Sequence, residues 1–419
     1  PATITDDQAD SVRNFINNRN NVFDLKDGFG YYFFDAQKAP VGPITNGAYA
    51  WNGRIVGSDN GDTDKLATQA TCDDQPVGSG YVVTFADNTD HLDIPSTSQA
   101  GWQIVGTSLG CFMYRVDSDS ISGLHLLGND ADYDDGTTQR KNGQLYGIML
   151  LPLSATSADL NEAKKLLIDR GASEEAQASG SQYYAAWYQR RDIVEFPAHT
   201  FPNATTLQIA WRVCNSMTDF GAIQAPLCTN FTGAWQSCSA LTSFPAGAKL
   251  GTEATGVNFT SAWQDSGLTS FPADIDLSKG GQFLDAWHGT NLISFSTPIT
   301  GVNAKRMRRA WKDCDQLTDF SYNVFANWNP SVIQSQCFNS TWDGCTALTA
   351  DSVGNILRGI DASNQFATVD GNSGSAAIAD AGIDIDYNTA TGSLSAATNA
   401  AVDSLKAKGW SIIVNNVTL

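Results

Sequence analysis

Basic residues are scarce in this sequence: 25 Lys and Arg stand against 44 Asp and Glu, for a net charge of −19. A chain this acidic is repelled by a phosphate backbone and offers few cations to replace its counterions, which excludes nucleic acid as a partner. Histidine is rarer still. The four copies, His91, His125, His199 and His288, share no spacing that suits a metal pair or a nucleophile relay. Cys-x-x-Cys is absent, so the commonest zinc framework cannot be drawn. No apolar run approaches the roughly eighteen residues that span a bilayer, which predicts no membrane insertion. The N-terminus also lacks the basic, apolar and small-residue succession of a secretory leader. Pro1 is what removal of an initiator Met would leave, so the expectation is synthesis in the cytoplasm without standard export. Carboxylate pairs for glycoside cleavage are a spatial feature that no spacing reveals. With no catalytic motif in view, the sequence predicts a protein that is not an enzyme and has no cofactor.

What the chain does have is tryptophan at regular distances. Trp187, Trp211, Trp235, Trp263, Trp287, Trp311 and Trp342 are separated by 24, 24, 28, 24, 24 and 31 residues, which defines seven copies of a repeat. Four places before each Trp stand Tyr183, Leu207, Phe231, Phe259, Phe283, Met307 and Phe338. One place before it is Ala in every copy but the last, which has Thr341. Three places after it come Cys214, Cys238, Cys314 and Cys345, with Arg190, Ser266 and Thr290 in the other copies. These offsets are i, i+3, i+4 and i+7, which predict a two-turn amphipathic helix, with Asn230 and Asn258 placed as N-caps. Leu241-Thr-Ser-Phe-Pro245 and its counterparts then predict a short strand ended by proline. One such unit cannot bury its own apolar side, so the expected object is a solenoid with the seven tryptophans as its structural core. A position that accepts Cys, Ser or Thr selects a small buried side chain. A reduced ladder is therefore expected there, with inter-repeat disulfides or a metal site as the other readings.

The repeats resemble the leucine-rich repeats of bacterial surface-protein type (BspA-like), in which an Ala-aromatic helix, a Cys and a Leu-Thr-Ser-Phe-Pro strand recur. That resemblance covers about residues 183–350 and implies a recognition surface. A second one lies upstream. Leu66 to Pro76, Val83 to Asp93 and Asn142 to Pro152 are similar to segments of the concanavalin-like (laminin-G-like) sandwich common in bacteriophage structural proteins. Short strands between Gly, Asn and Asp turns from Gly30 to Leu153 point the same way, to an antiparallel β-sandwich or jelly roll.

At 419 residues, two or three domains are expected. The reading is a multi-domain chain: an N-terminal helix and arm (1–29), the sandwich with a trailing helix (30–172), a joint (173–182), the α/β repeat solenoid (183–360), and a C-terminal loop with a β-α-β cap (361–419). The cap is read from the alternation at Ile383 to Tyr387 and Trp410 to Val414 around a helix from Ser395 to Lys408.

Few residues qualify as ligand contacts. Asp130, Asp132 and Asp134 make calcium the one cofactor alternative, but the loop has Asp135 where an EF-hand needs Gly and Lys141 where it needs Glu. Thr218, Asp219, Thr242, Ser243, Thr269, Ser270, Thr318 and Asp319 fall between the Leu and Phe of successive strands, so stacking should align them into a polar stripe, either a solvated face or a binding face for glycan or protein. Lys305, Arg306, Arg308 and Arg309, with Arg190 and Arg191 further along, form a basic group, either a solvated helix face or a surface for an acidic partner. A position such as His288, next to Trp287, should be exposed.

Together the two resemblances imply a non-enzymatic bacteriophage virion protein, a tail fibre, spike or head fibre, that displays the repeat surface for host attachment. Other virion proteins, further copies of the chain, and a host surface glycan or protein would be its partners. A capsid or tail decoration protein and a bacterial cell-surface adhesin are the alternatives.

Overall fold

In a computed structural model the described residues are 31–33, 71–77, 80–85, 91–92, 101–107, 109–116, 124–128, 143–169, 172–174, 183–330, 333–334, 336–363 and 382–419. The expected N-terminal helix, the joint, most of the C-terminal loop and the calcium candidates Asp130, Asp132 and Asp134 lie outside them. The chain forms two compact units, Pro1–Ala204 with Cys214–Asp219, and Thr205–Val213 with Phe220–Leu419. No helix among the described residues is long and apolar enough to cross a membrane.

The first unit is built on ten strands: β1 (Tyr31–Phe33), β2 (Thr71–Val77), β3 (Gly80–Phe85), β4 (His91–Leu92), β5 (Gly101–Thr107), β6 (Gly110–Val116), β7 (Leu124–Gly128), β8 (Gly143–Pro152), β9 (Ile193–Phe196) and β10 (Asp219–Phe220). Eight of them make one open sheet in the order β10-β9-β6-β5-β8-β3-β2, with β1 also on β8, while β4 and β7 pair separately. The concanavalin-like sandwich is therefore corrected: the sheet is open, neither curled nor closed. Helix α1 (Ser157–Asp169) lies against it, and a methyl group added at Gly106 of β5 would fall 2.8 Å from Leu167 Cβ. Alternation in a sequence reports a half-buried strand, and a packed helix satisfies that as well as a second sheet does.

The sheet is best defined at the β5–β6 hairpin, paired without slip from Gly101↔Val116 to Thr107↔Gly110. Thr107 Oγ1 closes its turn, donating to the Gly110 carbonyl at 2.9 Å and accepting from the Leu109 amide. Beneath the sheet lies an ion pair with no exposure. Arg190 donates to both Asp192 oxygens at 2.8 and 2.6 Å and to Gln103 Oε1 at 3.1 Å, and it lies 3.3 Å from the Tyr114 hydroxyl. Arg190 is thus not part of a basic surface. It is a buried cation neutralised in place, as a charge in the interior must be.

In the second unit the repeats stack, and the tryptophans form its spine. Successive rings from Trp211 to Trp342 are parallel within 4–6° at centroid distances of 5.1–5.7 Å. Phenylalanines sit edge-on between them: Phe244 is 4.9 Å from Trp235 and 5.4 Å from Trp263. The local backbone differs from the expected helix. Left-handed residues recur two places before and two places after the Trp, as in Gly233 (φ 60) and Ser237 (φ 58), Ser261 (φ 53) and Asp265 (φ 55), and Asp285 (φ 54) and Gly289 (φ 68). An L-residue helix cannot pass through such positions. The chain instead makes consecutive three-residue turns, Ala234 N–H to Phe231 O, Gln236 N–H to Gly233 O and Cys238 N–H to Trp235 O. The intervening amides of Phe231, Gly233, Trp235 and Ser237 donate at 2.8–2.9 Å to Asn258, Thr260, Ala262 and Gln264 of the next repeat. The stack is therefore held by a cross-repeat ladder. Asn230 and Asn258 open each run with an Asx turn, accepting from the amides of Thr232 and Thr260.

The strand content of this unit is small. β11 (Gln224–Ala225) pairs β12 (Lys249–Leu250), β13 (Val257–Asn258) pairs β14 (Gly280–Gln282), and β15 (Ser294–Phe295) pairs β16 (Asp319–Phe320), each parallel and two-stranded. With small open sheets and no α-helix around the repeat tryptophans, a curved leucine-rich-repeat solenoid is also corrected.

Helix α2 (Ala350–Ala362) follows the last repeat, capped by Thr349, whose side chain accepts from the Ser352 amide. Then come β17 (Gly382–Ile385), helix α3 (Ala396–Ala407), β18 (Ser411–Val414) and β19 (Val417–Thr418), in which β17 runs parallel to β18 and β19 antiparallel. β17 takes the place of a further repeat: Trp342 N–H donates to Asp384 O, Asp386 N–H to Trp342 O, and Gly344 N–H to Asp386 Oδ2 at 3.0 Å. The ladder's last donors are satisfied there, as buried backbone groups require.

Candidate functional site

Each Leu-x-x-Phe segment turns its Leu and Phe inward and the two residues between them outward. Leu241 and Phe244 are 0% and 4% exposed, while Thr242 and Ser243 are exposed. The next copies repeat this with Thr269 half-buried and Ser270 exposed, Ile293 and Ser294 exposed, and Thr318 half-buried beside exposed Asp319. Along this face the threonines serve the stack itself. Thr269 Oγ1 donates to the Thr242 carbonyl at 3.1 Å. The single proton of Thr318 Oγ1 is shared between the Ile293 carbonyl at 3.1 Å and Asp319 Oδ2 at 3.0 Å. The groups left to meet a ligand are the Ser and Asp side chains. Thr218 and Asp219 belong to the first unit, where Thr218 Oγ1 lies 3.2 Å from the Val194 carbonyl and Asp219 faces Arg115 at 3.8 Å.

At the C-terminal end of the face, β15, β16 and the N-terminus of α2 enclose a cleft of about 410 Å³. Ser294 and Asp319 reach it from the expected stripe, whereas Thr242, Ser243, Thr269 and Ser270 do not line it. The remaining walls include Ser296, Ser321, Asp351, Asn355 and Thr391. Sequence reasoning passed over these because α2 was absorbed into the repeats. Thr349 as a cap and the spacing of Val353, Ile356, Leu357 and Ile360 were the available signals. The cleft is rigid at its base. Ser352 Oγ donates to the Thr318 carbonyl at 2.9 Å and accepts from the Phe320 amide at 2.9 Å, and Asn355 Nδ2 donates to the Phe320 carbonyl at 3.0 Å.

The opposite side of the stack carries paired charge. Arg309 donates to both oxygens of Asp285 at 2.7 and 2.8 Å, and Lys312 pairs with Asp343. The expected free basic cluster is to that extent neutralised by the neighbouring repeat. His288, expected to be exposed, is only 22% so, with Nε2 3.1 Å from Asp313 Oδ2 and Nδ1 3.5 Å from Asp285 Oδ1. The Asp285 contact, with help from Asp313, raises its pKa above the ordinary 6.5. Burial alone would raise the Asp285 carboxyl, but His288 and Arg309 hold it below its usual value.

Cys111, Cys214, Cys228, Cys238, Cys314, Cys337 and Cys345 are reduced thiols, all buried. Sγ of Cys214, Cys238, Cys314 and Cys345 each donates at 3.0–3.2 Å to the Trp carbonyl of the preceding repeat. Where Ser266 and Thr290 take this place, the hydroxyl donates instead to the Trp carbonyl of its own repeat. Burial pushes the thiols of Cys111, Cys228 and Cys337 up to about 12. Among the described residues no cluster of three or more His, Cys, Asp or Glu could hold a metal ion.

Compared with known protein families, curated proteins and solved structures, the chain matches none.

Proposed function

We propose that this chain is a non-enzymatic attachment protein whose repeat face binds a host surface. The observation that carries the reading is the division of labour within each repeat. The aromatic residues and the small residue after them are spent entirely on the stack, while the copies from Trp235 to Trp311 each turn the two residues between Leu and Phe outward. Evenly repeated short polar groups on a rigid support suit an extended, repetitive ligand such as a surface glycan, because little ordering entropy is lost on binding. The setting proposed is a virion, where the chain would stand as a fibre or spike, with a bacterial cell surface as the other site of display. The two family resemblances that first suggested a virion do not survive the fold, so the setting rests on the recognition face alone.

Immunogold labelling of purified particles, with an adsorption assay on host cells, tests this reading. The expected result is label on intact particles, and particles carrying Ser243→Lys together with Ser270→Lys that assemble normally but adsorb poorly. Label confined to lysates, or charge variants that block assembly while leaving adsorption of completed particles unchanged, would overturn it in favour of a purely structural role.

A further inference from the structure

The cleft at the end of the repeat face has a wall chemistry that selects its ligand. Ser294, Ser296 and Asp351 are exposed, and neither the two hydroxyls nor the Asp351 carboxylate is hydrogen-bonded to another described residue. Asp319 has one oxygen engaged by Thr318 and the other free. Asn355 and Ser352, in contrast, are already committed to the backbone of β16 and set the shape of the base. The ligand must therefore supply hydrogen-bond donors to two carboxylates and meet two hydroxyls that can each donate or accept. The described residues that line the cleft include no Lys, Arg or His, and the positive end of the α2 dipole is already met by Asp351 in its first turn. Phe295 and Phe320 are each 1% exposed and present no ring face, which leaves hydrogen bonding and not stacking as the source of affinity.

We infer that this cleft is the binding subsite for a neutral, polyhydroxylated sugar unit, held by vicinal hydroxyls that donate to Asp319 and Asp351. The inference rests on the proposed attachment role and assigns it a place and a ligand class. A carboxylate is the side chain best matched to two adjacent hydroxyl donors, because it accepts at both oxygens and gives no competing donor. The cavity volume is of the size that encloses one or two sugar rings. Uronate or sialate units are disfavoured by like charge at the same wall.

The test is saturation-transfer NMR and calorimetry of the full chain with neutral manno-, gluco- and galacto-oligosaccharides and with uronate-containing counterparts, alongside labelling of host cells by the fluorescent protein. Neutral sugars should bind, and the uronate forms at least tenfold more weakly. Asp351→Ala and Ser296→Tyr, both at exposed positions, should weaken that binding about tenfold or more, and Glu253→Gln, exposed in the loop between β12 and β13, should leave it unchanged. Unaltered circular dichroism and thermal midpoint show that each variant is folded. Sugar binding that survives both cleft variants and is lost in Ser243→Lys overturns the cleft assignment and leaves the attachment role standing. So does labelling of cells without binding of any neutral sugar, or tighter binding of the uronate forms. Failure of both sugar binding and cell labelling overturns the attachment reading along with it.

Discussion

Gly233→Ala separates the cross-repeat turn ladder from a helical repeat by the sign of its effect. In a helix interior, replacing Gly with Ala stabilises by roughly 0.8–1.0 kcal/mol. Gly233 instead has φ 60, two places before Trp235, and its amide is fixed by the Thr260 carbonyl at 2.9 Å, so it cannot move to negative φ without breaking the ladder. Placing an Ala in the left-handed region costs about 1–2 kcal/mol. The smaller conformational freedom of Ala in the unfolded chain offsets about 0.4–1 kcal/mol of that. The new methyl would also lie 3.1 Å from Ile209 Cγ2 and 3.2 Å from Gln236 Oε1. Ile209 is 3% exposed and branched, so it has little room to yield. The sum is a destabilisation of about 1–2 kcal/mol, set by left-handed strain and the close contact. With a urea m-value near 2 kcal/mol/M, this moves the midpoint down by about 0.5–1 M. Urea titration followed by tryptophan fluorescence reads it, since six stacked indoles report on this unit. Gly233→Asn should lose less than half as much, because Asn tolerates the left-handed region. An unchanged or raised midpoint for Gly233→Ala would refute the turn ladder and restore the helix.

Three further outcomes follow from the same geometry. Trp235→Ala, at a ring with no exposure stacked between Trp211 and Trp263, should cost roughly 3–5 kcal/mol; a folded, undiminished variant that had only lost ligand would refute the spine. Cys228 and Cys337, raised to about 12 by burial, should resist iodoacetamide at pH 8 and react once urea unfolds the chain, as read by mass spectrometry. His288, raised by Asp285 and Asp313, contributes stability that is fully present below pH 6.5 and is lost as pH rises through its folded value. His199, lowered to about 4 by burial and by Lys164, acts with the opposite sign: its contribution is present above pH 6.5 and lost as pH falls towards 4. Thermal midpoints against pH should lose the first dependence in His288→Gln and the second in His199→Gln.

Much of the interior was legible because it repeats. The Trp, the Ala before it, the aromatic at −4 and the small residue at +3 are all buried where their periodic spacing places them, and the outward position of Ser243, Ser270 and Asp319 follows from the same register. Backbone conformation was not legible from that spacing. Offsets of 3, 4 and 7 put residues on one side of a helix and equally on one side of a run of three-residue turns. The signal that tells them apart, Gly, Ser or Asp at +2 as in Gly289, Gly344, Ser237 and Asp265, lies in the positions that carry no apolar pattern. The upstream strands were legible one at a time from alternation. How they assemble was not, because the same alternation serves an open sheet covered by a helix and a closed sandwich.

The sequence by itself therefore determined which side chains of the repeats are buried, since burial follows from local composition and period. Tertiary structure alone decided what those units are made of and where a ligand could be held. Whether an amide donates four residues back or across to the next copy depends on a neighbour 23 or more residues away. The cleft exists only because α2 brings Asp351 and Asn355 beside Ser294 and Asp319, residues from three separate segments that no local pattern connects.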